Sequence, residues 1–360
     1  MVYEKVNEKP APITSKGIIG WLRENLFSSP LNSAMTFLGF YFLYLIIPPF
    51  VKWAIIDAHF VGNSRADCTG TGACWLFIKA KLDMYMYGFY PLDLHWRPNT
   101  VYVLFGVLIL AFKFIKNNMA KIVLFTLYMI LVFILIRGGY FGLSVVDTNK
   151  WGGLMLTIIV AGVGIIASFP IGIVLAFGRQ SNLPIIKSVS VTYIEFIRGV
   201  PLITILFMSS VILPLFFPEG VTFDKLLRAL IGISFFQAAY IAEIIRGGLQ
   251  SIQKGQYEAA DAIGLSYWQK MLLVILPQAL KVAIPNLVGS FIALFQDTTL
   301  VLIIGLFDLL AMVQLTSSDI HWLGFEKEGY VFVTIVFWVF CFAMSKYSKS
   351  LENRFNTDLK

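Results

Sequence analysis

The composition of this chain is that of a protein embedded in lipid. Of its 360 residues, 58% are hydrophobic and only 14% are charged, whereas soluble domains carry about 25% charged residues. The net charge of +7 favours an orienting effect on loops across a membrane over nucleic-acid binding, because no basic run with interleaved aromatic residues occurs. The first 30 residues mix basic and acidic side chains, unlike a cleavable signal peptide. These features exclude a soluble domain and a nucleic-acid partner.

Eight apolar runs approach the length of about 20 residues that a membrane-spanning helix needs. In chain order they are Met35–Val51, Thr100–Phe114, Ile122–Ile136, Gly152–Phe177, Val191–Phe217, Leu226–Ile245, Val282–Gly305 and Tyr330–Met344. The second, third and last runs are short. After the seventh, "IGLFDLLAMVQ" (304–314) predicts a short helix at the outer face rather than another span. The fold class predicted is therefore all-α transmembrane, with about eight spanning helices.

The polar features are distributed unevenly along the chain. Residues 1–150 hold three predicted spans and one long loop, 52–98, whereas residues 151–360 hold five spans and almost every unusual polar residue. This contrast predicts an N-terminal extension followed by a five-span core.

Basic residues alternate between the links that join the spans. The links after the second, fourth and sixth spans and the C-terminal tail are rich in lysine and arginine, while the link 316–329 carries three acidic residues against one lysine. The positive-inside rule then places the basic links and both termini in the cytoplasm. The long loop, which contains several basic residues, is expected outside because long loops follow the rule less strictly.

Two cysteines lie close together in the long loop. Cys68 and Cys74 flank the glycine-rich "TGTGA", and they form either two free thiols or a local disulfide if the loop faces an oxidising space. A third interpretation is a metal site that includes His59 and Asp67, but no known ligand spacing supports it. Cys341 falls in an apolar run and is expected only to pack.

A polar, glycine-broken segment separates the sixth and seventh spans. "QYEAADAIGLSYWQK" has apolar residues at helical spacing, interrupted by Gly264. Ser266 followed by Gln269 has the form of a capping box, which starts a new helix. The pattern predicts two short amphipathic helices that bend at Gly264. Such an element can lie on the bilayer surface or enter a groove on a partner.

This segment resembles the Glu-Ala-Ala loop of ATP-binding-cassette (ABC) importer permeases. In that loop, three residues separate EAA from a G, and about nine more residues separate the G from I-x-L-P. Glu258, Ala259, Ala260 and Gly264 stand in the first two places, and "ILP" (275–277) in the last. "YIEFIRGVPLI", "AAYIAEIIRGGLQSIQKGQYEAA" and "LFQDTTLVLIIG" resemble the polar amino-acid branch, although valine replaces the usual threonine at 200 and glutamine the usual lysine at 296. "RENLFSSPLNS" and "GACWLFIKA" resemble the long permeases of general L-amino-acid importers.

The resemblance implies a C-terminal five-helix core of the type I importer fold, whose coupling loop is 248–276. In that family, the helix that contains Glu258, Ala259, Ala260 and Gly264 docks into a separate ATPase subunit. The implied partners are an ATPase dimer, which binds ATP and Mg, a second homologous permease and an extracytoplasmic amino-acid-binding protein. This chain would hold no cofactor, would catalyse no reaction, and would lie in a bacterial inner membrane. The sequence agrees, because it contains no G-x-x-x-x-G-K-[ST] loop.

Several ionisable or polar residues lie within the predicted spans, where they are costly and usually meet a cavity or an opposite charge. Glu195 with Arg198, and Glu243 with Arg246, are spaced three apart and can pair on one helix face. They either brace the bundle or line the translocation path. Pro201 should kink or unwind its span. Further candidates for the path are Gln237, Tyr240, Gln296 and Asp297.

Two other classes of protein fit the apolar composition. A secondary carrier driven by an ion gradient often shows inverted repeats and broken helices, and no repeat is evident here, although Pro201 and Asp297 could mark breaks. An intramembrane enzyme would need a catalytic constellation within the spans, and neither a Ser–His set nor paired carboxylates occur there.

The alternation of basic links generates a direct test of orientation. Single cysteines placed in the loop 52–98 should react with a membrane-impermeant thiol reagent in sealed right-side-out vesicles, and those in the link 246–281 should react only after the vesicles are opened. Labelling of the 246–281 link in sealed vesicles would contradict this topology.

Overall fold

The computed structural model describes residues 17–62, 64–218 and 223–357. The α-helices over these residues are α1 Gly17–Asn25, α2 Pro30–Val51, α3 Trp75–Tyr87, α4 Trp96–Phe114, α5 Asn118–Arg137, α6 Gly153–Gln180, α7 Pro184–Gly199, α8 Leu202–Phe207, α9 Lys225–Gln250, α10 Lys254–Ala262, α11 Tyr267–Gln269, α12 Leu276–Asp297, α13 Leu309–Ser317 and α14 Glu326–Thr357. The predicted cytoplasmic ends, 1–16 and 358–360, lie outside the described residues, as do residues 219–222 of the predicted outer link.

The described residues contain seven helices long and apolar enough to cross a membrane, and an eighth if one bent pair counts as a single span. The bent pair is 184–199 with 202–216, and its two parts meet at 106°. The break falls at Val200 and Pro201, where a kink is predicted. The all-α transmembrane class and the number of about eight spans are thereby confirmed.

The seventh predicted span is longer than its apolar run suggests. Helical structure continues from Tyr267 to Ile304, through a π-helical stretch at 270–275 and a 3₁₀ stretch at 298–304. The chain then turns at Gly305, whose φ is +72°, and α13 follows as a separate short helix. The prediction of one span followed by a short helix is confirmed.

Contacts between residues divide the chain at Leu76, into residues 1–76 and residues 77–360. The predicted boundary at residue 150 rests on sequence features alone and stays a prediction. By contact, α4 and α5 group with the five later spans, since Val101 and Ile136 share a buried cluster with Met155 and Leu156 of α6.

The first unit contains α1, α2 and the cysteine loop. Ser29 caps α2 by accepting a hydrogen bond from the Asn32 backbone N–H at 3.1 Å, and none of the α2 side chains is buried. Cys68 and Cys74 are joined by a disulfide. The indole of Trp75 donates to the Ala54 carbonyl at 2.8 Å, which holds the end of the loop against the end of the helical segment.

The second unit is built around the crossing of α6 and α9. A Cβ added at Gly172 of α6 would lie 2.5 Å from a side-chain carbon of Ile241 on α9, and one added at Gly248 of α9 would lie 2.6 Å from the Ala279 carbonyl of α12. Glycine at these positions lets the backbones approach closely, which is how helices associate in lipid. α9 therefore lies between α6 and α12 as the central helix of this unit.

Helix α13 is held by a buried carboxylate at its N-terminus. Asp308 is fully buried, and it accepts hydrogen bonds from the backbone N–H groups of Ala311 at 3.0 Å and Leu310 at 3.3 Å. Burial raises the pKa of Asp308 to about 6, and these hydrogen bonds oppose the rise. The neighbouring Leu309 N–H donates to the Thr157 hydroxyl of α6 at 3.2 Å, so the helix start is tied to the core.

Candidate functional site

The glycine-broken segment folds as two helices joined by a left-handed turn. α10 ends at Ala262, Gly264 has a φ of +78°, and α11 begins after Ser266. The Ser266 hydroxyl and the Gln269 side chain form the reciprocal capping box that the sequence predicts. Lys270 then donates to Asp261 at 2.5 Å across the turn. The bend is thus specified by glycine, by a cap and by an ion pair.

The Glu-Ala-Ala residues of α10 do not all face the same way. Glu258 and Ala259 are exposed, whereas Ala260 is buried within the chain. Ala259 therefore lies on the outward surface of α10, whereas the Ala260 side chain packs inward; the docking of this helix to an ATPase stays a prediction. The outward surface also includes Ile263 and Trp268, which are 74% and 59% exposed.

The bent element, residues 254–275, is anchored to the ends of the spanning helices. Met271 and Ile275 belong to a buried cluster with Phe177 of α6 and Ile245 of α9. The Tyr257 hydroxyl donates to the Leu249 carbonyl at 3.3 Å, and burial raises the pKa of this phenol. A displacement of the bent element would therefore move the ends of α6 and α9.

Five charged side chains join α6, α7 and α9 near the break in the bent pair. Glu243 of α9 pairs with Arg246 on the same helix, where the guanidinium Nε donates at 2.9 Å. It also lies 3.4 Å from Arg179 of α6 and 3.9 Å from Arg198 of α7. Arg179 in turn donates to Glu195 of α7 at 2.8 Å. We call these residues the charge cluster.

The charge cluster corrects one predicted pair. Glu243 and Arg246 pair as expected, but Glu195 binds Arg179 rather than Arg198, since among the described residues no salt bridge joins Glu195 to Arg198. Arg198 instead lies 5.8 Å from the centre of the Tyr240 ring. The cross-helix partner, Arg179, was absent from the predicted site because nothing local in the sequence shows where the end of α6 meets α7.

The cluster holds three arginines and two glutamates, so one positive charge is in excess. Its members range from Glu243, with 19% of its side chain exposed, to Glu195, with 57%. Ion pairs this close to solvent contribute little to stability singly, and their contribution increases when several charges form a network. The arrangement can hold the 106° bend against α6 and α9, which favours the bracing interpretation of these residues.

Gln237 is the most deeply placed of the predicted polar residues. It is 4% exposed, and its amide donates to the hydroxyl of Ser290 on α12 at 2.8 Å. Ser290 was not predicted, and its small side chain carries no signal among other serines. This hydrogen bond joins α9 to α12 at the middle of the bundle, where an unpaired amide would cost several kcal/mol.

Gln296 and Asp297 lie where α12 gives way to the 3₁₀ stretch. The Gln296 side chain is exposed and its amide lies 3.7 Å from the Cys341 sulfur. Asp297 is half-buried, and within 17–62, 64–218 and 223–357 no cation lies at salt-bridge distance from it. A carboxylate within a span and without a counter-charge is the kind of residue that meets a polar ligand or ion.

A metal centre finds no support in the part of the chain that the structure describes. Over that part, no three His, Cys, Asp or Glu residues group closely enough to hold an ion. Cys68 and Cys74 are bonded to each other, so neither thiol is free to join His59 and Asp67 as a ligand.

Comparison with known proteins identifies relatives over nearly the whole chain. The family model described as "Binding-protein-dependent transport system inner membrane component" matches residues 168–357. The inner membrane amino-acid ABC transporter permease protein YhdY of Escherichia coli K12 is 51% identical, covering 97% of this chain and 96% of the relative. The glutamate/glutamine/aspartate/asparagine permease BztC of Rhodobacter capsulatus is 38% identical, covering 99% and 98%.

A solved structure shares the fold of about half of this chain. It is a crystal structure of an amino acid ABC transporter with histidines, and it is 30% identical with a TM-score of 0.50. The match covers 56% of this chain and 92% of that chain. The remainder of this chain lies outside the matched region.

The central position of Glu243 in the charge cluster predicts unequal effects of two matched substitutions. Glu243→Gln leaves Arg179, Arg198 and Arg246 with one carboxylate among them, so the free energy of unfolding should fall by about 1–3 kcal/mol. Glu195→Gln removes a more exposed carboxylate and should cost about 0–1 kcal/mol. Denaturant unfolding of both variants in mixed micelles measures the difference. Equal losses would show that Glu243 does not hold the cluster together.

Proposed function

This chain belongs to the family of binding-protein-dependent transport system inner membrane components, and we propose that it is the permease subunit of an ATP-driven amino-acid importer, in which it forms half of the translocation pathway. The observation that carries this proposal is the bent element: an exposed helix around Glu258, fixed by the turn at Gly264, is anchored to the ends of α6 and α9. Such an element can pass the movement of an attached protein to the spanning helices.

The energy source in this proposal is a separate ATPase dimer that binds ATP and Mg. The chain has no phosphate-binding loop of its own, and the outward surface of the bent element combines the charge of Glu258 with the apolar side chains of Ile263 and Trp268. A carboxylate beside exposed aromatic and aliphatic groups suits docking in a groove with a basic rim. Closure of the ATPase dimer would then push on residues 254–275.

Two further partners complete the transporter. A second, homologous permease would supply the other half of the pathway, and an extracytoplasmic binding protein would deliver the amino acid. Amino acids are the proposed cargo because the relatives YhdY and BztC carry amino-acid transport in their names. The permease lies in a bacterial inner membrane with both termini in the cytoplasm, an orientation supported by the basic links.

Within the pathway, the proposal assigns separate roles to the polar residues of the spans. The carboxylate of Asp297, which lacks a counter-charge, suits the ammonium group of an amino acid, and Gln296 lies beside it as an exposed donor and acceptor. Gln237 and Tyr240 lie on α9 and would border the pathway. Glu195, Arg198, Glu243 and Arg246 act with Arg179 as braces of the bend rather than as ligands.

Transport by the assembled complex tests the proposal. Proteoliposomes that contain this chain with a second permease and an ATPase of the same importer, loaded with ATP, should accumulate labelled amino acids only when the binding protein is added outside. The rival carrier is recognised by uptake that continues without ATP and collapses with an uncoupler. No uptake of any amino acid under either condition would contradict both.

The bend at Gly264 predicts a defect confined to coupling. Gly264→Val places a β-branched side chain at a φ of +78°, which costs about 1–3 kcal/mol in strain, although the added Cβ meets no neighbour within 4 Å. The variant should insert and assemble with the second permease, but the binding protein should no longer stimulate ATP hydrolysis. Gly264→Asn should retain most of the stimulation, because asparagine tolerates a left-handed backbone.

The matched control is Gly106→Val in α4, where the added Cβ also meets no neighbour within 4 Å and the backbone is helical. ATPase activity of the purified complex in nanodiscs is measured with and without binding protein, and subunit content is checked on a gel. Full stimulation in Gly264→Val would show that the bend does not serve coupling.

A further inference from the structure

An open apolar groove runs along α5 at the end that carries Arg137. It has a volume of about 360 Å³ and is lined by Trp96, Leu127, Ile130, Leu131, Ile134, Leu135, Phe141 and Leu143. The lining of α5 extends over nine residues, from Leu127 to Leu135, which corresponds to about 12 Å along the helix axis. This length is close to the hydrocarbon depth of one leaflet, about 15 Å. The groove is therefore long enough to bind the acyl chain of a lipid.

One wall of the groove is a loop that places an aromatic ring in an unusual position. Phe141 is the only non-glycine residue among those described with a positive φ, at +54°, and its side chain is 91% exposed. The backbone around it is closed by hydrogen bonds from Gly139 N–H to the Leu143 carbonyl at 2.9 Å and from Leu143 N–H to the Tyr140 carbonyl at 3.0 Å. The turn thus holds the Phe141 ring outward at a cost in strain. Such an arrangement is expected where apolar material covers the ring.

A buried guanidinium lies near the lining residue Trp96 and bonds to Ser144, the residue after Leu143 of the lining. Arg97 is 2% exposed, and it donates to the carbonyl and the hydroxyl of Ser144 at 2.8 and 2.9 Å. Its Nε is buried without a hydrogen-bond partner, and over the described ranges no carboxylate forms a salt bridge with it. Its guanidinium lies 5.8 Å from the ring centre of Trp96, one of the lining residues.

A second cation, Arg137, lies at the C-terminal end of α5, two residues after the lining residue Leu135. Arg137 is exposed and lies 5.6 Å from the ring centre of Phe133. Within the described part of the chain no acidic side chain pairs with it. Two positive charges without acidic partners therefore flank one end of an apolar groove, and this end is the outer one in the orientation proposed above, where basic residues are normally scarce.

We propose that this groove binds an anionic phospholipid of the outer leaflet. Its acyl chain lies along Leu127, Leu131 and Ile134, and its phosphate pairs with Arg137 in the field of Arg97. A single phospholipid supplies both an apolar chain of suitable length and a negative charge at the correct end. A protein segment could fill the groove, but it would have to bring a carboxylate to the same place. The site does not depend on the proposed transport activity, since it rests on α4 and α5 crossing the membrane in the proposed orientation.

Quenching of Trp96 fluorescence by brominated lipids tests the site. The full chain in nanodiscs is compared with Trp96→Phe, so that the difference between them isolates this indole from the other tryptophans. Discs contain phosphatidylcholine with a minor fraction of chain-brominated phosphatidylglycerol or, for comparison, chain-brominated phosphatidylcholine. The anionic lipid should occupy the groove about fivefold more favourably, the preference expected for one basic residue near the surface.

Charge at Arg137 should account for that preference. Arg137→Gln should reduce it to near equality, whereas Lys116→Gln, a matched loss of charge in the link at the opposite end of α5, should leave it unchanged. If Arg137→Gln fails to insert, Phe141→Gly provides an independent variant, because glycine keeps the turn without strain while the groove loses a wall and the preference falls.

Three results would overturn the proposal. Equal quenching by both brominated lipids in the unaltered chain would show that no anionic headgroup is recognised. A preference that survives Arg137→Gln would show that Arg137 does not bind the headgroup. Absence of quenching at Trp96 by either lipid would show that protein, such as a second permease, covers the groove.

Discussion

The close crossing of α6 over α9 is the contact on which the remaining arrangement depends. In lipid, burial of apolar surface does not favour one helix contact over another, so association relies on close van der Waals packing between small residues. Gly172 and Gly248 permit this approach on the two sides of α9. With α9 fixed between α6 and α12, Arg179 at the end of α6 comes within reach of Glu243, and Gln237 comes within hydrogen-bond distance of Ser290.

The bent element takes its mechanical character from the same packing. Its second half, around Met271 and Ile275, is part of the buried cluster at the ends of α6 and α9, while its first half remains exposed around Glu258. One half is thus continuous with the spanning helices and the other is available to a partner. A left-handed residue at the junction keeps the two halves at a fixed angle, and Gly264 adopts that conformation with little strain.

Polar groups within the spans fall into two kinds, according to whether the chain itself satisfies them. The charge cluster compensates most of its own charge, which is what a structural role requires, and the Gln237 amide is satisfied by the hydroxyl of Ser290. Asp297 and Arg137 lack an opposite charge within the described residues, so each is suited to a group that the chain does not contain. For Asp297 the proposed group is the cargo, and for Arg137 it is a lipid phosphate.

The sequence by itself determined the features that depend on local pattern. Apolar run length predicted the spans, Pro201 predicted the break in the fifth, and Ser266 with Gln269 predicted the cap after the turn at Gly264, because each of these is decided by residues within a few positions of one another. The family was also evident from motifs, since the Glu-Ala-Ala segment is contiguous.

Only the tertiary structure decided which side chains contact one another across different helices. The partner of Glu195 is Arg179 on another helix rather than Arg198 three residues away, Ala260 faces inward, and the groove beside Phe141 forms from α4, α5 and a loop. These outcomes depend on crossing angles and on the rotation of each helix about its axis. Periodicity shows that a helix has faces, but in a chain that is apolar on nearly all of them it does not show which neighbour each face meets.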